Sequence, residues 1–109
     1  MIRVSLIVLS LFAGAAAAQA EDVPTLELSL TGTTFTPPEL HVPANKAFII
    51  KFKNNNPAAA ELEAKDLGIE KAAAANAEIV VRVKPIAAGK YLFVNEYEED
   101  VAKGFVISE

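Results

Sequence analysis

Leu26, Leu28 and Leu30 alternate with Glu27 and Ser29, the period-two pattern of a strand with one face buried and the other in water. The alternation is cleanest over residues 46–54, where Phe48, Ile50 and Phe52 share one face and Ile49, Lys51 and Lys53 the other. That stretch is predicted to be a central strand. The pattern returns as Ile79, Val81 and Val83 against Val80, Arg82 and Lys84, and again as Tyr91, Phe93 and Asn95 against Leu92 and Val94. Shorter strands are expected at 39–42, at 58–64, where Glu61 and Glu63 fall on one face, and at 105–107. Thr31-Gly32, Pro43-Ala44-Asn45, Asn54-Asn55-Asn56-Pro57 and Ala87-Ala88-Gly89 are turn signals between them. Phe35, Pro37 and Pro38 predict a loop riding over the core, because two prolines cannot donate to a sheet ladder. The alanines of 66–77 favour helix, but the segment is too short to stand alone, so one turn of helix at most is expected. Six to eight short strands, with turns every eight to twelve residues and no long helix, indicate an all-β protein, a small antiparallel Greek-key β-sandwich.

The amino terminus changes the domain picture. Arg3 is followed by an uncharged, mostly apolar run over residues 4–18, and Ala18-Gln19-Ala20 has the small residues of a cleavage site. Residues 1–20 therefore read as a secretory signal peptide, shorter than the roughly 20 apolar residues a membrane span needs. The expected product is a single exported domain, 21–109, with no direct membrane insertion after cleavage. Without Arg3 the ten Lys and Arg become nine against 14 Asp and Glu, a net charge of −5, which argues against nucleic acid as a partner. There is no Cys, so disulfides and thiol chemistry are excluded and a closed β core, a bound metal or both must supply stability.

The chemistry-bearing stretch lies between the last two expected strands. Glu96, Glu98, Glu99 and Asp100 crowd into five positions there. Clustered carboxylates repel one another until a cation or a lysine relieves them; Lys65, Lys71 or Lys103 can do so without a metal, which would make the cluster a salt-bridge network on a solvated face. Glu99 and Asp100 read as solubilising residues. His41, the only imidazole, ends a strand and reads as a surface residue. Tyr97, inside the acidic loop, reads as packing under it, with a phenolate ligand as the sharper alternative. No Ser/His pairing or phosphate-binding glycine loop supports a hydrolase or nucleotide enzyme.

Gly89, Tyr91 and Phe93, closing with Gly104, Phe105 and Ile107, resemble the last two strands of the cupredoxins, the blue-copper β-sandwich fold. In that register Asn95 stands where the Cys ligand would be, Glu98 at the second His, Ala102 near the axial Met, and Glu61 at or next to the first His. A blue-copper centre needs a thiolate and two imidazoles, and none stands at these positions. A closer likeness is to the small cupredoxin-like proteins of bacterial periplasmic iron uptake, and to the matching domain of ferrous-iron permease systems. It rests on Glu61-Leu62-Glu63-Ala64-Lys65-Asp66-Leu67, Glu70-Lys71, Gly89-Lys90-Tyr91-Leu92-Phe93-Val94-Asn95-Glu96-Tyr97 and Ala102-Lys103-Gly104.

That resemblance implies a periplasmic protein binding iron or copper and oxidising iron or handing it to a membrane iron permease or another iron-uptake component. The metal ligands it points to are Glu61, Glu63, Glu96 and Glu98, brought together because the sandwich places both loops at one end. Oxygen ligands without thiolate or imidazole favour hard cations such as iron, manganese or calcium. The alternative is a metal-free interaction module that uses its acidic end to dock a basic patch.

Overall fold

The computed structural model describes residues 23–109; the signal-peptide reading and the domain start at residue 21 lie outside the described residues. Among the described residues nine strands build two sheets. These are β1 (Thr25–Thr31), β2 (Thr34–Thr36), β3 (Glu39–Val42), β4 (Phe48–Asn54), β5 (Ala60–Ala64), β6 (Ile69–Ala73), β7 (Glu78–Val83), β8 (Gly89–Asn95) and β9 (Lys103–Ser108). The strand order is β2-β1-β4-β7 in one sheet and β3-β9-β8-β5-β6 in the other. The architecture is the expected all-β sandwich, but the sheets are mixed rather than purely antiparallel: β1 runs parallel to β4, and β3 parallel to β9. Both parallel pairs join strands that are not sequence neighbours, so no hairpin signal announces them.

The core lies where the alternation puts it. Leu28 and Leu30 of β1, Phe48, Ile50 and Phe52 of β4, Val81 and Val83 of β7 and Phe93 of β8 are all buried between the sheets. Phe35 joins them: its ring meets Phe93 edge-on at 4.9 Å between centroids and is tilted against Phe52 at 6.2 Å, geometries that favour aromatic pairs beyond the area they bury. Phe35 sits on β2, so the expected loop contains a three-residue strand and becomes irregular at Pro37, where the Thr36–Pro37 peptide is cis.

Residues 66–77 depart further from expectation. A single 3-10 turn, Lys65–Leu67, leads at once into strand β6. Gly68 closes the turn at φ +66°, with its N–H donating to the Lys65 carbonyl, a left-handed conformation that glycine adopts without a Cβ penalty. β5 and β6 are thus an antiparallel hairpin with Glu63 opposite Glu70 and Ala64 opposite Ile69. The alanines prefer helix as isolated residues, but Ile69 and Ala73 can be buried from an extended chain, and that tertiary burial overrides a weak propensity.

Two buried amides fix the loops at the end that carries the acids. Asn54, fully buried, places its side-chain nitrogen 2.8, 3.3 and 3.1 Å from the carbonyls of Ala58, Ala73 and Ala74, while its Oδ1 accepts from the Asn56 N–H. Asn95, also buried, accepts the Glu61 N–H on Oδ1 at 3.0 Å, and its own N–H donates to the Ala102 carbonyl. The first amide ties the β4–β5 loop to the β6–β7 loop, and the second fixes the start of β5 against the loop after β8.

Candidate metal centre

Glu61 and Glu63 are two residues apart on β5, so both side chains leave the sheet on the face opposite buried Leu62. Pairing with β6 sets Glu70 directly across from Glu63. After β8 the chain turns through a 3-10 segment, Glu96–Glu98, and its first residue folds back over the same face. Glu61, Glu63, Glu70 and Glu96 each place a carboxylate oxygen within 4.8 Å of the others'. Two oxygens on opposite sides of a cation bound at about 2.4 Å are themselves about 4.8 Å apart, so no pair in the group is too far apart to share one ion.

Three of the four residues named from the sequence, Glu61, Glu63 and Glu96, meet in this group. Glu98 stands apart and exposed, with only its backbone carbonyl engaged, by the N–H groups of Val101 and Ala102. The 3-10 turn explains this. At three residues per turn, position i+2 points about 240° around the axis from position i, so Glu96 and Glu98 diverge. Glu70 takes the fourth place, and sequence reasoning missed it as a site residue because 66–77 was not read as a strand. Gly68 in the turn was the available signal: a hairpin about 66–67 puts 70 opposite 63.

The electrostatics follow from crowding. Glu63 is 6% exposed, and its nearest counter-charge is the exposed ammonium of Lys65 at 3.6 Å, a pairing that water largely screens. Glu96 is pushed up to about 7 by its hydrogen bond with Glu61, then by that with Glu63 and by burial. Glu70 is raised by its hydrogen bond to Glu61 and by that residue's charge. Glu61 is lowered, because the carboxyls of Glu96 and Glu70 and the Tyr97 hydroxyl hydrogen-bond to it; Tyr97 is raised in return. Glu61 is therefore the hydrogen-bond acceptor at the centre of the group, and a cation would displace the proton that Glu96 holds below about pH 7. Glu96 Oε2 is buried without a hydrogen-bond partner, and an orphaned buried oxygen facing other carboxylates fits a cation.

The blue-copper register fails in the same region for a structural reason. Asn95 and Ala102 are both buried, Asn95 spends its Oδ1 on the Glu61 N–H, and Ala102 offers no side-chain donor atom. The residues present do not fit a thiolate-imidazole copper centre. The four-oxygen group beside them fits a hard cation. His41 is on β3, at the opposite edge of this sheet from β6, paired with Glu109 at 2.9 Å and Glu39 at 3.8 Å. It plays no part in the group.

Known structures share the fold at low identity. The metal-binding domain of the Streptococcus pneumoniae D39 Cu(I)-exporting P-type ATPase CopA superposes with a TM-score of 0.70 at 17% identity, covering 78% of this chain and 84% of that one. A copper binding protein in its apo form gives 0.66 at 22%, covering 78% and 86%. Auracyanin from Roseiflexus castenholzii gives 0.64 at 15%, covering 78% and 96%. No curated protein sequence matches the chain. The cupredoxin-like domain model matches residues 4–108. With the two-sheet sandwich and the Gly89-to-Ile107 pattern in agreement, the chain belongs to the cupredoxin-like domain family.

Proposed function

We propose that Glu61, Glu63, Glu70 and Glu96 bind a hard metal cation, iron foremost, and that the protein is a periplasmic accessory of a bacterial iron-uptake system. In this reading iron is cargo, oxidised with the protein's aid or delivered to a membrane permease. The observation that carries the reading is the convergence of four carboxylates from two strands and a turn within 4.8 Å. Assembling like charges is unfavourable for the empty protein, as the raised Glu96 and Glu70 record, and an ion repays that cost. Copper enters as the competitor, because the structural neighbours include copper proteins, but an all-oxygen set is a poor host for Cu(I).

Calorimetric titration separates these outcomes. The wild-type protein is expected to bind Fe(II) under anaerobic conditions, and Mn(II) or Ca(II) more weakly, with Cu(I) negligible. A Glu61→Gln/Glu63→Gln variant is expected to lose at least about 100-fold in iron affinity, since it removes two of four ligands. Equal and negligible iron binding by both proteins would refute the reading; tight Cu(I) binding would replace iron with copper.

A further inference from the structure

Among the described residues four large hydrophobic side chains are exposed, and three of them line two depressions that share Glu99 and Asp100: Leu92 at 42%, Tyr97 at 60% and Val101 at 63%. Tyr97 and Val101 belong to the acidic loop, lining one depression with Glu98, Glu99 and Asp100. Leu92 and Val94 line the adjoining groove, of about 360 Å³, with Asp66, Glu99, Asp100 and Lys103, and with Glu63 of the carboxylate group and its partner Lys65 at its edge. Scattered exposed apolar residues are normal, but apolar side chains on adjoining depressions rimmed by charge have the anatomy of an interface. Among the described residues no ion pair engages Asp66, Glu98, Glu99, Asp100 or Lys103, so these charges are available to a partner.

Eight of the twelve acidic residues in 23–109 fall within 61–70 and 96–100, against three lysines, Lys65, Lys71 and Lys103, in or next to the same segments. The field at this end is negative, and it selects a basic partner. The loop is also held in shape before any partner arrives. Val101 and Ala102 donate to the Glu98 carbonyl at 3.1 and 2.9 Å, Asn95 N–H donates to the Ala102 carbonyl at 3.0 Å, and Ala102 is fully buried. A preformed loop loses little conformational entropy on binding.

We propose that the 96–101 loop and the groove beside it form a docking surface for a basic protein segment whose apolar side chains cover Leu92, Tyr97 and Val101. The apolar residues supply the contact that excludes water, and the surrounding carboxylates speed and orient the encounter. The inference does not rest on metal binding, although the loop that would carry the partner also carries Glu96, which places any docked segment against the carboxylate group.

The test titrates the chelator-treated protein with a synthetic amphipathic Lys/Leu peptide and follows backbone amide shifts. The shifts are expected at Leu92 and residues 97–101. Val101→Ser is expected to weaken binding about tenfold, and Leu92→Ser, a second variant on the rigid strand, to do the same. Some binding should persist at about 0.5 M salt, where screening acts over only a few Å. Glu70→Gln, which removes a carboxylate of the metal group that lines neither depression, should weaken metal binding but leave peptide affinity within about twofold, so the two readings fail separately. Shifts spread over the whole surface, affinity unchanged by both serine variants, or a self-associated dimer occupying the same amides would each overturn the proposal.

Discussion

Replacing Glu96 by Gln tests whether crowding of carboxylates governs this end of the molecule. Glu96 is raised from 4.5 to about 7 in the folded protein, so between those values the native state holds a proton that the unfolded chain has lost. The sign follows directly. When the folded state binds more protons, stability falls as pH rises, so the metal-free protein should lose stability from pH 4.5 up through 7 and level off above. Glu70, raised by the same neighbour, adds in the same direction. Glu61 is lowered, so its contribution is present above 4.5 and disappears only as the pH falls through its depressed folded value. At pH 6 a group of pKa 7 is about 0.9 protonated and one of 4.5 about 0.03, so unfolding should release about 0.9 proton from this site alone. Calorimetric unfolding in two buffers of different ionisation enthalpy measures that number, and the melting temperature from pH 5 to 8 gives the slope. Glu96→Gln cannot take up or release the proton; its melting temperature should fall less steeply than wild type over the same range, the residual slope coming from Glu70, and should be higher than wild type at pH 7.5. A flat wild-type profile, or a Gln variant that tracks it, would refute the reasoning.

Three further outcomes follow from particular contacts. A Cβ added at Gly104 would run into the Phe93 ring and lie 2.8 Å from the Pro38 carbonyl oxygen, so Gly104→Ala should cost about 1–3 kcal/mol, read as a lower denaturation midpoint with an unchanged denaturant slope. Asn54→Ala strips the buried amide that serves the carbonyls of Ala58, Ala73 and Ala74 and should cost about 1–3 kcal/mol, with hydrogen exchange accelerating in the 55–59 and 74–77 loops first. Metal affinity should rise about tenfold per pH unit up to about pH 7 and flatten above it, because the ion must displace the Glu96 proton; titrations at pH 5.5, 6.5 and 7.5 measure this, and no pH dependence would exclude Glu96 as a ligand.

The core was legible because alternation and burial are the same fact seen twice. Phe48, Ile50 and Phe52 face inward, and exposed Val80 sits on the outward phase that its neighbours Val81 and Val83 define. Less legible was anything set by pairing between distant strands. The parallel β1–β4 and β3–β9 pairs leave no local mark. β6 was hidden because its alanines speak for helix, while its extended shape comes from lying against β5. The site inherits both lessons. Period-two spacing puts Glu61 and Glu63 on one face, but joining them to Glu96 as a ligand set was an implication of the cupredoxin-like resemblance. Glu70 depended on the unseen hairpin, and the position of Glu98 on a 3-10 turn that strand-like spacing does not anticipate.

Anomalous scattering from crystals soaked in an iron or manganese salt, with data on both sides of the metal edge, tests the central claim most directly. The account expects one peak on the outer face of β5 and β6, about 2.0–2.6 Å from oxygens of Glu61, Glu63 and Glu96 with Glu70 completing the set. The absence of any peak there at saturating metal, or a peak beside Asn95 and Ala102 instead, would contradict it.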